Sequence, residues 1–346
     1  ILEQHTLGLP QRFVQRTVLE KIDTYLNTPF VVIVTGIRRC GKSTVLQWLR
    51  KQGQEQDYYL NFDDDRLVDF QLADFQMLYE LFIEMYGKQK TFFFDEIQNI
   101  PQWERFIRRL HDHGNKVYIT GSNASMFSQE LGTRLTGRYL SVTMYPYSFL
   151  EYVNAKSPKL LPYQGTSEKK ARLRRLFSQY MDDGGLPEYI QHQTTDYLHT
   201  LFENIIYKDV IVRYRLTNER LVRSLLHFLA SNVGKNVTFN SLRKLLNLGS
   251  SNTVAEYCQY FQNSFLCFLV NNFSASLKRQ YGYAKKVYWI DSGLAKQVGF
   301  RLSEDRGRML ENIVYLELLR REKEIYCYQE KKECDFIIKS NNEITC

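Results

Sequence analysis

An unbroken apolar run at residues 30–34 leads directly into the segment GIRRCGKS at residues 36–43. The run is rich in β-branched residues and does not alternate with polar ones, which predicts a strand buried on both faces of a parallel sheet. The segment matches GxxxxGK(S/T), a motif that belongs between such a strand and a helix. Together they predict a phosphate-binding loop within an α/β fold.

The residue types of this loop suit phosphate binding. Glycines let the backbone turn its N–H groups toward phosphate oxygens, and the amino end of the following helix adds partial positive charge. We expect Lys42 to reach the β- and γ-phosphates and the Ser43 hydroxyl to ligate Mg²⁺. The alternative is a glycine-rich turn that binds nothing. The residues expected to bind nucleotide are Gly36, Ile37, Arg38, Arg39, Cys40, Gly41, Lys42 and Ser43.

Strand-like and helical segments alternate over the first 145 residues. Further strands are predicted at 58–62, 91–94, 116–120 and 139–145. Helices are predicted at 11–27, 42–52, 72–86 and 101–113, the last with Pro101 in its first turn. This alternation indicates a doubly wound α/β domain with a parallel sheet.

Two carboxylates, Asp95 and Glu96, end the apolar segment TFFFDE. Carboxyl ends of parallel strands share one edge of the sheet, so both residues are expected beside the phosphate loop. Asp95 is a candidate magnesium ligand, and Glu96 is a candidate general base that polarises water. A surface Asp-Glu pair that caps a loop is the alternative.

Polar residues after the next strands are weaker candidates. Asn123, with Ser122 as second choice, is placed to orient water or touch the γ-phosphate, although Gly-Ser-Asn is also ordinary turn chemistry. Arg134 and Arg138 precede the fifth strand and are candidates to stabilise transition-state charge in the same or a neighbouring subunit. A solvated or ion-paired role is equally compatible with both arginines.

Beyond residue 146 the pattern becomes helical over 150–230, interrupted at 158–166 and 182–187. Three helical segments over 219–261, followed by strands at 265–270 and 286–290, have the order of a winged helix. The third helix would be capped by Ser251 or Asn252 and would present Asn252, Glu256 and Gln259 to bases. Candidate phosphate contacts are Lys278, Arg279, Lys285 and Lys286. A packing domain without DNA binding is the alternative.

Several blocks of the chain resemble a prokaryotic family of AAA-like P-loop ATPases with a C-terminal domain of unknown function, loosely related to restriction-endonuclease-like folds. The blocks are GIRRCGKST, FFFDEIQNIPQWERFIRRL, VYITGSNASMFSQELGTRLTGRY and YPYSFLEY. The resemblance implies the ASCE type of P-loop ATPase, with sheet order 5-1-4-3-2, a helical lid, a winged helix and a small C-terminal α/β domain. It makes residues 36–44, including Thr44, the Walker A motif, Asp95 and Glu96 the Walker B motif, and Asn123 a sensor.

The resemblance also bears on the second half of the chain. Pro187 in GGLPE looks like the proline of a lid motif that packs near the adenine. Cys40 departs from the small polar residue common in the loop, and we expect it to make the loop sensitive to thiol reagents. Related nucleases pair a helix glutamate with a strand aspartate, here Glu311 and Asp335, then a Glu-x-Lys strand. The next strand begins near Ile344 and the given sequence ends at Cys346, so the lysine motif does not fall within it, and Lys339 has the wrong spacing. A degenerate nuclease-like fold is therefore favoured.

Length and composition set the outer limits. The chain has 346 residues with a net charge of +8, enough for two or three domains and compatible with polyanionic partners. No apolar run reaches the length of a membrane helix, no secretory signal is visible, and the cysteines show no zinc spacing, which favours a reduced cytoplasmic location. The first and last residues suggest a trimmed fragment. Predicted domains are 1–149 (core), 150–217 (lid), 218–292 (winged helix) and 293–346 (truncated α/β domain).

These patterns predict an ATP-binding protein and Mg²⁺-dependent ATPase. It would act as a molecular switch whose ligands are ATP and ADP. Two alternatives remain open. One is an ATP-regulated protein that binds or processes DNA, and the other is a nucleotide-binding scaffold without turnover. No protein partner follows from the sequence.

Overall fold

The computed structural model describes residues 1–6, 8–9, 13–53, 57–124, 135–161, 165–274, 276, 280, 282–300, 305–329, 333–340 and 343–346. The chain divides into two compact units, Ile1–Met144 and Tyr145–Cys346. The division into four domains stays a prediction.

A parallel sheet forms the centre of the first unit. Its strands are β1 (Val31–Thr35), β2 (Tyr58–Asn61), β3 (Thr91–Asp95), β4 (Lys116–Gly121) and β5 (Tyr139–Thr143). They lie in the order β2-β3-β4-β1-β5, and each neighbouring pair is parallel. This is the expected order 5-1-4-3-2 read from the other edge. Since all five residues of β1 are buried, the absence of alternation in its sequence has the expected cause.

The α-helices among the described residues of the first unit are α1 (Leu2–His5), α2 (Val18–Asp23), α3 (Lys42–Gln52), α4 (Asp74–Tyr86) and α5 (Trp103–Asp112). Of the helix predicted over 11–27, the described residues 13–17 and 24–27 are not helical; the buried Arg16 turns toward the phosphate loop and donates to the Cys40 carbonyl at 2.8 Å. Pro101 is not in the first turn of α5. Gln102 has a left-handed φ of 59°, which separates the proline from the helix.

An aromatic core stabilises one face of this sheet. Phe92 and Phe94 on β3 are fully buried, and Phe75 of α4 stacks on Phe106 of α5 with ring centroids 4.4 Å apart. Each such side chain contributes about 1.5–3 kcal/mol through burial alone. The phosphate loop and the ends of β3 and β4 therefore rest on a rigid support.

The second unit begins with helices α6 (Phe149–Lys156), α7 (Ser167–Asp183), α8 (Pro187–His192) and α9 (Thr195–Asn204). A π-helical stretch, Ile205–Val212, continues α9. Next come α10 (Glu219–Ser231), α11 (Phe239–Leu245) and α12 (Ser251–Asn263), interleaved with an antiparallel sheet of order β6-β8-β7. Its strands are β6 (Asn236–Val237), β7 (Cys267–Val270) and β8 (Lys285–Trp289).

This element order agrees with the one predicted for a winged helix, although that assignment stays a prediction. The cap of α12 differs from the expectation. Ser250, rather than Ser251 or Asn252, is the N-cap, and its hydroxyl accepts from the Asn252 N–H at 3.1 Å. The chain continues through α13 (Ser292–Val298) and α14 (Arg306–Arg320) to the antiparallel strands β9 (Glu324–Gln329), β10 (Glu333–Ser340) and β11 (Glu343–Thr345).

Cys334 and Cys346 form a disulfide, which departs from the expectation of fully reduced cysteines, whereas Cys40, Cys258, Cys267 and Cys327 are buried thiols. In the part of the chain that the structure describes, every helix is too short or too polar to cross a membrane.

Candidate functional site

The loop between β1 and α3 has the backbone shape that the glycine motif predicts. Gly36 has a φ of 148°, and a Cβ atom there would lie 2.1 Å from the Met144 carbonyl oxygen. Only glycine fits this close approach. The N-cap of α3 is Gly41, so no side chain caps its first amides. Uncapped amides at the start of an 11-residue helix favour an anionic ligand, and the loop therefore fits a phosphate chain.

Lys42 is buried and held at the centre of this loop. Its Nζ donates to the carbonyl oxygens of Gly36 and Ile37, each at 3.2 Å, and lies 3.2 Å from Glu96 Oε1. Burial, the largest single influence, lowers the pKa of Lys42, but the charge and hydrogen bond of Glu96 together with the charges of Cys40 and Asp95 outweigh it, and the net shift is upward. The lysine is therefore a charged group shared between the loop and the end of β3.

Glu96 is fixed from several directions. Its φ of 50° is left-handed, and its N–H donates to Thr120 Oγ1 at 2.9 Å. Burial raises the pKa of its carboxyl, but Lys42 and Arg38 oppose this and lower it to about 2. Gln98 donates to Glu96 Oε2 and, at 3.2 Å, to Ser122 Oγ. A left-handed conformation is unfavourable for a residue other than glycine. Here contacts to both the backbone and the carboxylate hold it in place, as is often seen at functional sites.

Asp95 occupies a second, fully buried position one residue earlier. It accepts from the Thr120 hydroxyl, from Tyr59 Oη at 3.4 Å and from Ser43. Burial, followed by the charge of Glu96, raises its pKa. Ser43 and Asp95, the two predicted magnesium ligands, are thus in contact, and the Ser43 residue is exposed to solvent. A hydroxyl and a carboxylate are oxygen donors of the kind Mg²⁺ takes.

Of the other residues predicted to contact the phosphates of ATP, the structure describes all but one. Asn123 and Ser122 are buried directly after β4, whose neighbours are β1 and β3, so they lie at the edge that carries the loop. Arg38 pairs with Asp63 at 3.3 Å, and Arg39 has a left-handed φ of 66°. Thr44 follows Ser43 in the first turn of α3. Arg134 lies outside the described residues.

The prediction that Arg138 reaches a phosphate on the loop of its own chain is wrong. Its carbonyl accepts from the Val31 N–H, at the beginning of β1, whereas the phosphate loop follows the end of that strand. Five strand residues separate the two edges by roughly 16 Å. The guanidinium instead donates to Asp112 Oδ1 at 3.1 Å. Arg138 is therefore not placed to reach a phosphate on the loop of its own chain, and action on a neighbouring subunit stays a prediction.

The structure also contradicts the reactivity expected of Cys40. Its side chain is fully buried, and burial raises the pKa of the thiol. A buried, protonated thiol is a poor nucleophile. The expected sensitivity of the loop to thiol reagents is therefore wrong for the folded protein.

Three contacts of this site were missed at the level of sequence. Thr120 bridges Asp95 and Glu96, Gln98 bridges Glu96 and Ser122, and Arg16 braces the loop at Cys40. Thr120 could have been found from the sequence, because it is a polar residue next to the buried Ile119 near the carboxyl end of β4. Nothing in the sequence marks Gln98 or Arg16, because their partners come from distant segments.

The second unit holds Pro187 as the first residue of α8, and its expected role at adenine stays a prediction. The Gly-Gly pair before it has a packing function within this unit. A Cβ on Gly184 would lie 2.1 Å from Asp291 Oδ1, and the Gly185 N–H donates to Asp291 Oδ2 at 2.6 Å. Asp291 also caps α13 through the Leu294 N–H at 2.8 Å.

Two of the four predicted phosphate contacts near the wing are wrong. Lys285 and Lys286 are buried. Lys285 donates to Asn271, and Lys286 pairs with Glu311 at 2.8 Å and Asp335 at 2.5 Å. Lys278 and Arg279 lie outside the described residues. Glu311 and Asp335, the two nuclease-like carboxylates, do meet, but around this lysine. In the part of the chain that the structure describes, no three or more His, Cys, Asp and Glu residues form a group that could hold a metal ion.

Comparisons with known proteins agree with the geometry. Residues 28–153 match a family profile described as an AAA domain, AAA_14, and residues 174–305 match a domain of unknown function, DUF8612. The second match does not show a nuclease-like tail. Among solved structures, the Walker-type ATPase PABY2304 of Pyrococcus abyssi has a TM-score of 0.53 at 14 % identity, over 85 % of this chain and 98 % of that one, which shows the fold alone.

Two relatives match almost the whole chain. The uncharacterized protein MJ1544 of Methanocaldococcus jannaschii is 32 % identical over 327 residues, which cover 90 % of this chain and 73 % of that protein. An uncharacterized protein of Haemophilus influenzae is 30 % identical over 345 residues, covering 94 % and 84 %. The chain therefore belongs to the family of AAA-domain proteins that includes these two relatives and has the fold of a P-loop ATPase.

Proposed function

We propose that the protein binds Mg²⁺–ATP at residues 36–44 and hydrolyses its β–γ phosphoanhydride bond as a molecular switch. The observation that carries this proposal is the buried pair of Lys42 and Glu96, 3.2 Å apart, between the phosphate loop and the end of β3. A base and a phosphate-binding cation are paired here in a buried site, which is typical of catalytic groups. A bound phosphate would compete with the base for the cation and so change the pKa of the base.

Nucleotide binding depends on the loop and on α3. The loop amides and the uncapped first turn of α3 take up negative charge, and the ammonium of Lys42 is within reach of the same groups. Ser43 and Asp95 would hold the metal, directly or through water. When bound, Mg²⁺ would neutralise developing charge on the phosphate oxygens.

Glu96 acts as the general base in this proposal. With Lys42 beside it, its pKa of about 2 makes it a weak base. A phosphate chain competes for the same ammonium, and each increase in distance between Lys42 and Glu96 raises the pKa of Glu96 toward its ordinary value. Substrate binding would thus strengthen the base that then takes a proton from water. Gln98 keeps the carboxylate in place by its bond to Oε2.

Phosphate release by the native protein, Lys42→Ala and Glu96→Gln tests the proposal. Glu84→Gln, an exposed change on α4, is the matched control. We expect the native protein and the control to turn over ATP, Glu96→Gln to lose about 100-fold or more while it still binds ATP, and Lys42→Ala to lose binding. If the native protein hydrolyses ATP no faster than Glu96→Gln, the scaffold alternative replaces this function.

A further inference from the structure

A cluster of unpaired cations lies on α7. Between residues 157 and 181 the chain has six basic residues and a single acidic one, Glu168. Four of the basic residues form what we call the basic face: Lys170, Arg172, Arg174 and Arg175. All four are exposed. Lys159 and Lys169 lie in the same part of the sequence.

Within the residues that the structure describes, the charge of the basic face is not neutralised. None of its residues has an ion-pair partner among the described residues, and Arg172 makes only a 3.4 Å hydrogen bond to the uncharged Ser157 hydroxyl there. Two other exposed cations of this unit are paired, since Arg321 lies 2.9 Å from Glu317 and Lys296 lies 2.9 Å from Asp182. Four unpaired cations within six residues repel one another, which a polyanion would relieve.

The helix presents these cations on a fixed support. Leu176 and Tyr180 are buried, and Phe177 contacts Phe149 of α6 edge-to-face. At 3.6 residues per turn, Lys170 and Arg174 lie one turn apart on one flank of the exposed surface, and Arg172 and Arg175 lie on the other. Between the flanks is Ala171, whose small side chain allows close approach.

The predicted recognition helix offers no such surface. Helix α12 contains no lysine or arginine and one glutamate, Glu256. Lys285 and Lys286 near it are buried. The positive charge that a polyanion needs is therefore concentrated on α7 and not on α12.

We propose that the basic face binds the phosphate backbone of double-stranded DNA without reading its sequence. Cations on both flanks of a helix can approach phosphates on the two sides of a major groove, which in B-form DNA is wide enough to admit a helix and in A-form RNA is not. Binding of single strands depends on aromatic stacking, and the basic face carries no aromatic residue. Insertion into a bilayer needs apolar side chains, and those of α7 are packed inward.

Fluorescence anisotropy of a labelled duplex of about 20 base pairs, at several salt concentrations, tests this. The test variant is Lys170→Gln/Arg172→Gln/Arg174→Gln/Arg175→Gln. The control, Lys88→Gln/Lys90→Gln/Lys323→Gln/Lys339→Gln, removes the same charge from exposed positions elsewhere. We expect the test variant to bind at least tenfold more weakly and to reduce the log–log salt slope by about 3, with the control unchanged.

A charge-retaining variant separates the loss of positive charge from misfolding. Arg172→Lys/Arg174→Lys/Arg175→Lys should keep most of the binding. The proposal is wrong if the native protein does not bind the duplex, or if the test variant and the control lose equal affinity. It is also wrong if single-stranded DNA, duplex RNA or phosphatidylserine vesicles bind the native protein as tightly as duplex DNA does. ATP turnover of the test variant should be unchanged, so this result is independent of the proposed hydrolysis.

Discussion

At the scale of single residues, the carboxylate of Glu96 is shared between a cation and an amide. Gln98 donates to one oxygen of this carboxylate, and that hydrogen bond helps to lower the pKa of Glu96. The same amide contacts Ser122, so Gln98 connects the end of β3 to the end of β4. Gln98 is thus a positioning residue that acts through Glu96.

We expect Gln98→Ala to lower ATP turnover by about 10- to 100-fold with ATP affinity nearly unchanged. Loss of the donor raises the pKa of Glu96, so the acidic limb of the pH–rate profile should move to higher pH. Steady-state kinetics across pH measure both effects. Gln76→Ala, an exposed change on α4, is the control. A Gln98→Ala profile with an unmoved acidic limb would show that Gln98 does not act on the base.

Cys40 provides a second test at this scale. Because its thiol is buried and its pKa is raised, we expect iodoacetamide at pH 8 to leave Cys40 unmodified in the folded protein. Mass spectrometry of digests, before and after unfolding in urea, measures its modification. Rapid labelling in the folded state would mean that the loop is open at Cys40. Cys40→Ala should retain turnover, since no step of the proposed hydrolysis uses the thiol.

At the scale of elements, the amino end of α13 depends on Asp291 and on the glycines before α8. Gly184 combines a left-handed φ of 76° with the close approach to Asp291. We expect Gly184→Ala to lower the free energy of unfolding by about 2 kcal/mol or more. Gly114→Ala is the matched control, since Gly114 has a φ of 74° and open space around it. Equal losses in chemical denaturation would leave the close approach without energetic consequence.

The buried carboxyl of Asp291 should make the stability of the protein depend on pH. Burial raises its pKa to about 6, against 3.8 for the ordinary group. The folded state therefore holds this proton more tightly, and the stability from Asp291 is complete below pH 3.8 and declines as pH rises through 6. Between pH 4 and 7 the decline is about 2 kcal/mol. We expect the stability of Asp291→Asn, measured by urea denaturation relative to the native protein, to improve by about that amount over this range. A difference independent of pH would contradict this.

Element boundaries show where sequence patterns stop being informative. Helix α3 begins and ends as expected, because the glycine motif fixes its start. Helix α2 is much shorter than its amphipathic pattern predicts, since Arg16 is needed at the loop. Likewise, Gln102 delays the start of α5. In both cases a tertiary contact or a local backbone conformation outweighs periodicity, which carries no information about either.

At the scale of the whole molecule, the alternation of strands and helices was enough to predict a parallel sheet, and the resemblance supplied the strand order. The contact of Ser43 with Asp95 followed from placing both at one sheet edge. The prediction for Arg138 was wrong because this residue precedes β5 and therefore lies at the opposite edge of the sheet. Lys285 and Lys286 failed because charge alone does not reveal burial, and the sequence around them gives no sign that Glu311 and Asp335 lie beside Lys286.

The central claim is that the loop at residues 36–44 grips a triphosphate chain through its amides and Lys42. Calorimetric titration of Mg²⁺–ATP into the native protein and into Lys42→Ala tests it most directly. We expect the native protein to bind one nucleotide per chain and Lys42→Ala to bind at least 100-fold more weakly. No binding by a folded native protein, or equal binding by both proteins, would contradict the account.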